Sequence, residues 1–320
     1  RSGPRDSERD LYAFDVATGE ERVVLTADQI LGGQAETLSP EERALRERLR
    51  MTASGIASYS LSQDGSKILV PLSGKLFVVD RNAAENNVRE LPSEGGYAND
   101  AQFSPDGNRV ACVREGDVYV IDVAAGTQRR LTTREGDQQT YGLAEFVAQE
   151  EMSRYHGTWW SPDSTTLVVQ HNDASDVETL YASNPIDPAD PPRAARYPRA
   201  VTSNVVVRLA LIPVGEGDAR WVEWDQQTFP YLASVQWPKE GPLTVLVQDR
   251  RQQVEQILRV DPESGQTTRL HFERDEAWLN LDQSVPRWID AEQMLWSTER
   301  DGQWQLDRRG PEGAKPLTHT

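Results

Sequence analysis

Two different turn motifs recur along this chain in a fixed order, and their spacing constrains the fold more than any other sequence feature. The first turn reads Ser-x-Asp-Gly or Ser-x-Asp-Ser and occupies residues 62–65, 104–107 and 161–164. In such a turn the aspartate accepts hydrogen bonds from its own backbone, and proline and glycine supply the φ angles that the turn requires. An apolar run follows each copy, so each turn predicts the start of a buried β-strand.

The second turn has the form Asp-x-x-x-Gly and occupies residues 15–19, 122–126 and 261–265. Each copy follows an alternating strand and leads into another short strand. The repeating unit therefore contains four short antiparallel strands in about 40–50 residues, which is typical of a β-propeller blade. A β-sandwich with ordinary hairpins is the alternative, but two different turns repeated in the same order favour the propeller.

The repeats thus predict an all-β chain of four-stranded antiparallel blades that forms part of a β-propeller. The chain contains the end of one blade followed by five units, which lie near residues 9–25, 56–97, 99–132, 158–212, 228–272 and 285–320. We expect residues 1–320 to belong to one propeller domain that this sequence does not complete.

Two segments that interrupt the repeats are predicted to form short helices. In residues 39–50, Ser39 suits the N-cap and Pro40 suits the first helical position. The interval between the second and third Ser-x-Asp turns is longer than one blade, and residues 144–154 within it contain no glycine or proline. The proline-rich residues 185–199 are expected to form an irregular excursion.

The formal net charge of −17 argues against several classes of partner. A nucleic-acid binder needs a basic face, and an anionic membrane surface repels an acidic protein. No apolar run approaches the roughly 20 residues of a membrane-spanning helix. The chain begins with Arg1 and has no apolar signal segment, so we expect a fragment of a longer protein. Its compartment, bacterial periplasm or cytoplasm, stays open.

The sequence offers little for metal or nucleophilic chemistry. One cysteine, Cys112, excludes an internal disulfide and a thiolate-rich zinc site, and we expect it to be a small buried apolar residue. The four histidines lack metal-ligand spacing, so no metal or cofactor is expected. Neither a Gly-x-Ser-x-Gly nucleophile elbow nor a phosphate-binding loop occurs in the sequence. A catalytic triad within this chain is therefore not expected.

An adjacent pair of carboxylates, Glu150 and Glu151, is the first candidate site. A primary ammonium has three donors, so two carboxylates can share it. Neighbouring side chains of a regular helix diverge by about 100°, so both reach one ligand only at a helix edge or in a distorted turn. The alternative is a solvated acidic face of an acidic protein, and the spacing alone favours that alternative.

A series of arginines in the first predicted helix is the second candidate. Arg43, Arg46 and Arg50 share one helical face, and a guanidinium is suited to binding a carbonyl or carboxylate. The alternative is a solvated helix whose arginines pair with its own glutamates. The spacing alone favours this second interpretation.

Several blocks of the sequence resemble the dipeptidyl peptidase IV family. The Gln-Glu-Glu-Met segment and the Trp-Trp-Ser-Pro-Asp that follows it, in residues 149–163, resemble the family's Glu-Glu block. Residues 197–204 resemble its Tyr-Pro-Lys-x-Gly-x-x-Asn stretch, although Val201 and Val205 stand where the family usually has Gly and often has Pro. Residues 45–59 resemble the arginine-bearing helix of the dipeptidyl peptidase 8/9-like branch and of bacterial relatives. Residues 299–302 fit a later blade.

This resemblance implies a fold, an activity and a set of binding residues. The family has an N-terminal eight-bladed propeller and a C-terminal α/β-hydrolase domain with Ser, Asp and His, and it releases N-terminal dipeptides with Pro or Ala in second position. By the resemblance, Glu150 and Glu151 bind the free amine of the peptide. Arg50, with Arg46 as the alternative, binds the carbonyl of the penultimate residue.

The resemblance also implies partners. They are peptides with a free N-terminus and the hydrolase domain, which is absent from this chain, so we expect the chain alone to be inactive. A homodimer and the exact second-position preference are left open.

Two other functions compete with this one. The chain could be a non-catalytic propeller that binds proteins or cell-wall ligands, or part of a sibling serine peptidase such as an acylaminoacyl peptidase or an oligopeptidase. The paired glutamates distinguish these hypotheses, because neither alternative needs a paired-carboxylate site for an amine.

Overall fold

The computed structural model describes residues 8–48, 50–83, 87–187, 189–300 and 302–318. Residue 49 of the first predicted helix, residues 84–86 of one predicted unit, residue 188 of the expected excursion and residues 301, 319 and 320 of the last unit lie outside these ranges, as do residues 1–7. The chain divides into two compact units, Arg1–Thr133 and Arg134–Thr320, and each is described by itself.

The first unit contains two meandering four-stranded antiparallel sheets, β5–β8 and β9–β12, together with the hairpin β2–β3 and the parallel pair β1–β4. Its elements are β1 (Glu8–Arg9), β2 (Leu11–Phe14), β3 (Glu21–Leu25), α1 (Ala27–Leu31), α2 (Pro40–Arg48), β4 (Ser54–Gly55), β5 (Ser60–Leu61), β6 (Lys67–Leu72), β7 (Lys75–Asp80), β8 (Val88–Glu90), β9 (Asn99–Phe103), β10 (Arg109–Arg114), β11 (Asp117–Asp122) and β12 (Thr127–Arg130).

The second unit contains a five-stranded sheet, β13-β15-β18-β19 with β14 also on β15, then the hairpin β16–β17 and the four-stranded sheets β20–β23 and β24–β27. Its elements are β13 (Gln139–Tyr141), α3 (Phe146–Glu151), β14 (Thr158–Trp160), β15 (Thr166–Asp173), β16 (Thr179–Ala182), β17 (Arg193–Arg196), β18 (Val206–Pro213), β19 (Arg220–Trp221), β20 (Tyr231–Gln236), β21 (Thr244–Gln248), β22 (Val254–Val260), β23 (Thr267–Arg274), β24 (Arg287–Trp288), β25 (Met294–Thr298), β26 (Gln305–Gly310) and β27 (Gly313–Pro316).

These sheets are the blades that the two turn motifs predict, and the fold is that of a partial β-propeller. Five sheets follow one another along the chain after the hairpin β2–β3, in the order that the repeats indicate. The all-β prediction is therefore confirmed.

The Ser-x-Asp turns connect the first and second strands of their blades through the same hydrogen bonds. In the first copy the Ser62 hydroxyl donates to the Asp64 carboxylate at 2.6 Å and accepts from the Lys67 N–H at 2.9 Å. Because the Ser62 hydroxyl stabilises the charged form, the pKa of Asp64 is lowered. The other two copies repeat these contacts, so one sequence motif sets one geometry.

The central strands of each blade carry the apolar core. In β10 the four residues Val110, Ala111, Cys112 and Val113 are fully buried. The buried state of Cys112 is confirmed, and burial raises the pKa of its thiol to about 11, which leaves the thiol inert at neutral pH.

The first predicted helix is present but shorter than expected. The Ser39 hydroxyl accepts the Glu42 N–H at 3.0 Å, so the predicted N-cap is confirmed. Helix α2 ends at Arg48, and Arg50 has a positive φ of 52°. Arg50 therefore does not share a helical face with Arg43 and Arg46, and the prediction that it does is wrong.

The other irregular segments differ from expectation in detail. Residues 146–151 of the second predicted helix are helical. Part of the expected irregular excursion is a strand, because Arg193–Arg196 pairs with Thr179–Ala182 in a two-stranded hairpin. All four residues of β17 are exposed, so this strand lacks the apolar alternation that would have revealed it. Within the described ranges no helix is long and apolar enough to cross a membrane.

Two carboxylates lie opposite each other inside the second unit. Glu255 on β22 pairs with Glu273 on β23, and only 4% of Glu255 is exposed. Glu273 accepts the Trp296 indole N–H at 2.6 Å and the Thr298 hydroxyl. Burial, reinforced by the charge of Glu273, raises the pKa of Glu255 to about 7.

The protonation of Glu255 makes stability depend on pH. Its pKa is about 7 in the folded chain against 4.5 for a free glutamate, so the folded state retains a proton that the unfolded state loses. Stability should therefore fall as pH rises from about 4.5 to 7, by roughly 3 kcal/mol in all. Urea unfolding at pH 5 and pH 8 should show that the free energy of unfolding falls less for Glu255→Gln than for the parent chain. An equal decrease in the parent chain and in Glu255→Gln would contradict the protonation of Glu255 in the folded state. Glu240→Gln, at an exposed glutamate, is the control and should behave like the parent chain.

Candidate functional site

The third blade departs from the regular four-stranded pattern, and the departure creates the candidate site. Strand β18 pairs with β15 along its whole length. The opposite edge of β15 is shared by two strands. Strand β14 pairs with residues 167–169, and β13 pairs with residues 171–173. One edge strand is therefore split in two, and the chain between its halves, residues 142–157, leaves the sheet. We call this segment the split-strand insert; it contains α3.

The two ends of the split-strand insert are held together at one residue of β15. The Gly142 N–H donates to the Gln170 carbonyl at 2.7 Å, and the Gln170 N–H donates to the Gly157 carbonyl at 2.8 Å. A Cβ on Gly157 would lie 2.4 Å from the carbonyl carbon of Gly142. Glycine is therefore required where the two ends of the insert approach each other.

Helix α3 begins at a well-satisfied N-cap. The Glu145 carboxylate accepts the N–H groups of Val147 at 2.6 Å and Ala148 at 2.7 Å. Burial raises the pKa of Glu145, although both of these hydrogen bonds favour its charged form. The ring of Phe146, the first helical residue, packs on Tyr197 at 4.9 Å between centroids. This contact joins the helix that carries Glu150 and Glu151 to the Tyr-Pro stretch.

The C-terminal end of α3 is fixed in the core. Met152, only 2% exposed, belongs to the apolar cluster that includes Ala233, Leu246 and Trp296. The Gln283 side-chain amide donates to the Met152 carbonyl at 2.6 Å. The packing of Met152, the residue that follows Glu151, therefore holds the insert in place.

A buried arginine connects the split-strand insert to two blades. One Nη of Arg154 donates to the Gln170 side-chain oxygen at 2.7 Å and to the His156 carbonyl at 2.8 Å. Its Nε and other Nη donate to the Leu232 carbonyl on β20 at 3.2 and 3.1 Å. Charge-assisted hydrogen bonds of this kind offset the cost of burying the guanidinium and fix its position.

These contacts place the predicted amine ligands at the exposed end of a fixed helix. Glu150 and Glu151 are both exposed, and Glu151 is the last residue of α3. The backbone leaves the helix at Met152, and Ser153 has a positive φ of 52°. The pair thus lies at a helix edge, the situation in which adjacent side chains can reach one ligand.

The electrostatics of this helix end favour a cation. A helix C-terminus carries partial negative charge, so two carboxylates there weaken the helix by themselves. No basic residue occupies the last turn of α3. A bound ammonium would offset the partial negative charge of this helix end.

The two predicted arginines have different environments. Arg46, 8% exposed, donates to both oxygens of Glu36 at 2.7 and 3.2 Å and to Glu42 at 2.7 Å. Glu36 also accepts the Gly55 N–H, so Arg46 stabilises the chain around α2. Arg50 is exposed. Of the two, Arg50 is the arginine whose side chain reaches solvent.

Sequence reasoning missed the residues that position the site. No local pattern of residues marks a buried arginine or a pair of glycines that meet at the base of an insert. The sequence therefore does not reveal the roles of Arg154, Gln170, Gly142 and Gly157. The departure at Val201 does have a structural counterpart. Val201 has a φ of +64°, a backbone conformation that favours glycine, the residue usual at that position of the family.

Comparisons with known proteins agree with these observations. The family model described as the dipeptidyl peptidase IV N-terminal region matches residues 62–320. Human dipeptidyl peptidase 8 is 28% identical over 262 residues, which cover 70% of this chain and 29% of that protein. A probable dipeptidyl peptidase 4 of Aspergillus flavus is 30% identical over 204 residues, which cover 59% of this chain and 26% of that protein.

Solved structures show the same fold. Dipeptidyl peptidase 4 of Porphyromonas gingivalis superposes with a TM-score of 0.76 at 19% identity, covering 99% of this chain and 44% of that one. A putative dipeptidyl aminopeptidase IV of Bacteroides ovatus superposes with a TM-score of 0.68 at 20% identity, covering 95% and 41%. The chain thus spans less than half the length of the proteins it matches.

The contacts of Arg154 predict that it stabilises the insert. Replacement of Arg154 by Met leaves the Leu232 carbonyl and the Gln170 side chain without their donor, so the free energy of unfolding should fall by about 3 kcal/mol. Arg199→Gln, which removes an exposed ion pair with Glu178, should cost less than about 1 kcal/mol. Urea denaturation of both variants tests this difference. Equal stabilities would show that the Arg154 network contributes nothing.

Proposed function

The chain belongs to the family of the dipeptidyl peptidase IV N-terminal region, and we propose that it is the substrate-recognition propeller of a serine exopeptidase that releases N-terminal dipeptides. The observation that carries this proposal is the position of Glu150 and Glu151. Both are exposed at the end of a helix that is fixed on two sides. The two sequence relatives described above are named as dipeptidyl peptidases.

The chemistry of a peptide amine suits this carboxylate pair. An α-amino group has a pKa near 8, so about nine-tenths of free N-termini are protonated at pH 7. The ammonium has three donors, and a carboxylate such as that of Glu150 or Glu151 accepts hydrogen bonds through two oxygens. An amide nitrogen in the middle of a chain has no charge and one hydrogen, so an internal segment would gain far less from the same site. The glutamate pair would therefore favour the free N-terminus of a peptide over an internal segment.

A fixed binding point for the amine sets the distance to the bond that is cleaved. Catalysis requires the reacting atoms to meet in a near-attack geometry, and a displacement of one residue would prevent it. Because Met152 and Arg154 hold the insert in place, the carboxylates can set this distance. We propose that the second residue of the peptide, Pro or Ala, is read beyond this point.

Arg50 is the better candidate for the ligand of the substrate carbonyl. A guanidinium has several N–H donors and no acceptor, which suits a substrate carbonyl oxygen. Arg46 would have to leave Glu36 and Glu42 to make the same contact. That exchange would leave two carboxylates unpaired in a partly buried site, which is costly.

The bond-breaking chemistry belongs to the hydrolase domain in this proposal. A serine attacks the carbonyl carbon, a histidine accepts and then returns the proton, and an aspartate orients the histidine. The residues of this chain bind the amine and orient the peptide. We therefore propose that the chain by itself binds peptides and does not cleave them.

Charge removal at the glutamate pair tests the proposal in the full-length enzyme. Glu150→Gln and Glu151→Gln should each lower kcat/KM for a free-amine dipeptide substrate by roughly 10–150-fold, because a charged hydrogen bond contributes about 1.5–3 kcal/mol. The double variant should be nearly inactive. An N-acetylated substrate should be poor for the parent and the variants alike.

The matched control for the glutamate pair is Glu263→Gln, an exposed glutamate in an Asp-x-x-x-Gly turn. It should retain parental kcat/KM. If both Glu150→Gln and Glu151→Gln also retain it, the pair is a solvated acidic face, and a non-catalytic propeller becomes the better hypothesis.

Kinetic and thermal measurements should distinguish the roles of Arg50 and Arg46. Arg50→Gln should lower kcat/KM at least tenfold in the full-length enzyme and leave the melting temperature unchanged, since its side chain is exposed. Arg46→Gln should lower the melting temperature, because Glu36 and Glu42 then lose their partner. Parental kinetics of Arg50→Gln would exclude it as a ligand.

A further inference from the structure

The end of helix α3 has a third attachment besides the packing of Met152 and the contacts of Arg154. Gln283 lies in the segment between β23 and β24. Its side-chain nitrogen donates to the Met152 carbonyl at 2.6 Å and to the Ala233 carbonyl at 3.2 Å. A side-chain amide nitrogen has two hydrogens, so one residue can make both contacts. Because Met152 is the C-cap of α3, Gln283 satisfies a carbonyl at the point where helical hydrogen bonding stops.

A β-bulge in β20 provides the anchor for two of these attachments. The register between β20 and β21 shifts between Leu232 and Ser234, so Ala233 has no partner residue on β21. The Leu232 carbonyl accepts from Arg154, and the Ala233 carbonyl accepts from Gln283. Successive carbonyls of a regular antiparallel strand point to opposite edges. The bulge therefore lets one strand bind both side chains that hold the end of the insert.

The turn that carries Gln283 is itself fixed. One oxygen of the Asp282 carboxylate accepts the Ser284 N–H at 2.9 Å and the Ser284 hydroxyl at 2.6 Å. The other oxygen accepts the hydroxyl of Ser297, on β25, at 2.7 Å. The Val285 N–H donates to the Asp282 carbonyl at 3.2 Å and closes the turn. The backbone on both sides of Gln283 is therefore defined, and it is tied to the sheet β24–β27.

The three attachments differ in how much they contribute to folding. Met152 is buried in an apolar cluster, and Arg154 is a buried cation with several partners. Gln283 is exposed, so water can replace its two hydrogen bonds if its amide is removed. A change at Gln283 therefore alters the position of the helix end at a small cost in stability.

We propose that Gln283 is a positioning residue for the glutamate pair, a role that rests on the proposed function. The carbonyl that Gln283 holds belongs to the residue directly after Glu151. Displacement of this carbonyl would move the last turn of α3, and Glu150 and Glu151 with it. A peptide bound by its amine would then meet the nucleophile at a less defined distance. Gln283 thus acts on the reaction through the two glutamates.

Steady-state kinetics of the full-length enzyme with a free-amine dipeptide substrate test this role. Gln283→Met removes both donors and keeps the length of the side chain. Its kcat should fall about tenfold, because fewer bound peptides then have the scissile bond at attack distance. Its KM should stay within about twofold of the parental value, because Glu150 and Glu151 keep their charges. Ser297→Ala, which frees the Asp282 carboxylate, should lower kcat in the same direction and by less.

The matched control is Gln253→Met. The Gln253 side-chain amide also donates to two backbone carbonyls, those of Glu276 at 2.7 Å and Ala277 at 3.2 Å. Neither of these carbonyls belongs to the split-strand insert. Gln253→Met should therefore retain the parental kcat and KM. Melting temperatures close to that of the parent enzyme would show that both glutamine variants are folded.

Hydrogen exchange gives a readout that does not depend on activity. The Arg154 N–H donates to the Ala148 carbonyl at 3.0 Å at the end of α3. In Gln283→Met this N–H should exchange with deuterium faster than in the parent enzyme or in Gln253→Met, because the end of the helix opens more often. Equal exchange in all three proteins would contradict the role of Gln283.

The kinetic outcomes that would overturn the proposal are distinct. A parental kcat of Gln283→Met, with activity lost in Glu150→Gln and Glu151→Gln, would leave the glutamate site intact and exclude Gln283 from its positioning. A rise in KM at unchanged kcat would assign Gln283 to binding. An equal fall of kcat in Gln253→Met would show a general loosening of the segment before β24. Parental kinetics of both glutamate variants would overturn the proposed function together with this inference.

Discussion

Backbone pairing along both edges of strand β15 is the constraint on which the candidate site depends. Strand β18 occupies one edge completely, and the other edge is shared between β13 and β14. Buried N–H and carbonyl groups must be paired, so the chain has to return to β15 after its excursion. The excursion is therefore closed at its base, and α3 projects from a fixed point of the blade. A loop joined to the sheet at one end only would not hold two carboxylates in a defined position.

Charged residues in this acidic protein divide into two groups by their environment. Arg46, Arg154 and Glu273 are largely buried, and each has several hydrogen-bond partners. Their role is structural, because removing one partner would leave a desolvated charge. Glu150 and Glu151 are exposed at the C-terminal end of a helix, where the helix dipole disfavours negative charge. An arrangement that costs stability and is exposed to solvent is what a recognition site for a cation requires.

Rigidity around the glutamate pair matters for the proposed activity. An exopeptidase that cuts after two residues must bind the free amine at one distance from its nucleophile. The core packing of Met152 and the contacts of Arg154 fix the insert next to the two glutamates, as the proposed function needs. The apolar cluster around Met152 is thus part of the positioning of the site as well as of the stability of the blade.

The blades could be predicted from the residues alone, because the Ser-x-Asp and Asp-x-x-x-Gly turns are stabilised by contacts within a few residues. The residues also indicated where both helices lie, and the resemblance to the family proposed Glu150 and Glu151 as candidate ligands. The split edge strand and the contacts of Arg154 with two blades became visible in the folded structure. The folded structure also showed that Arg46 is paired while Arg50 is exposed. These features depend on contacts between residues far apart in the chain, such as Arg154 and Leu232, and no local pattern of residues encodes such contacts.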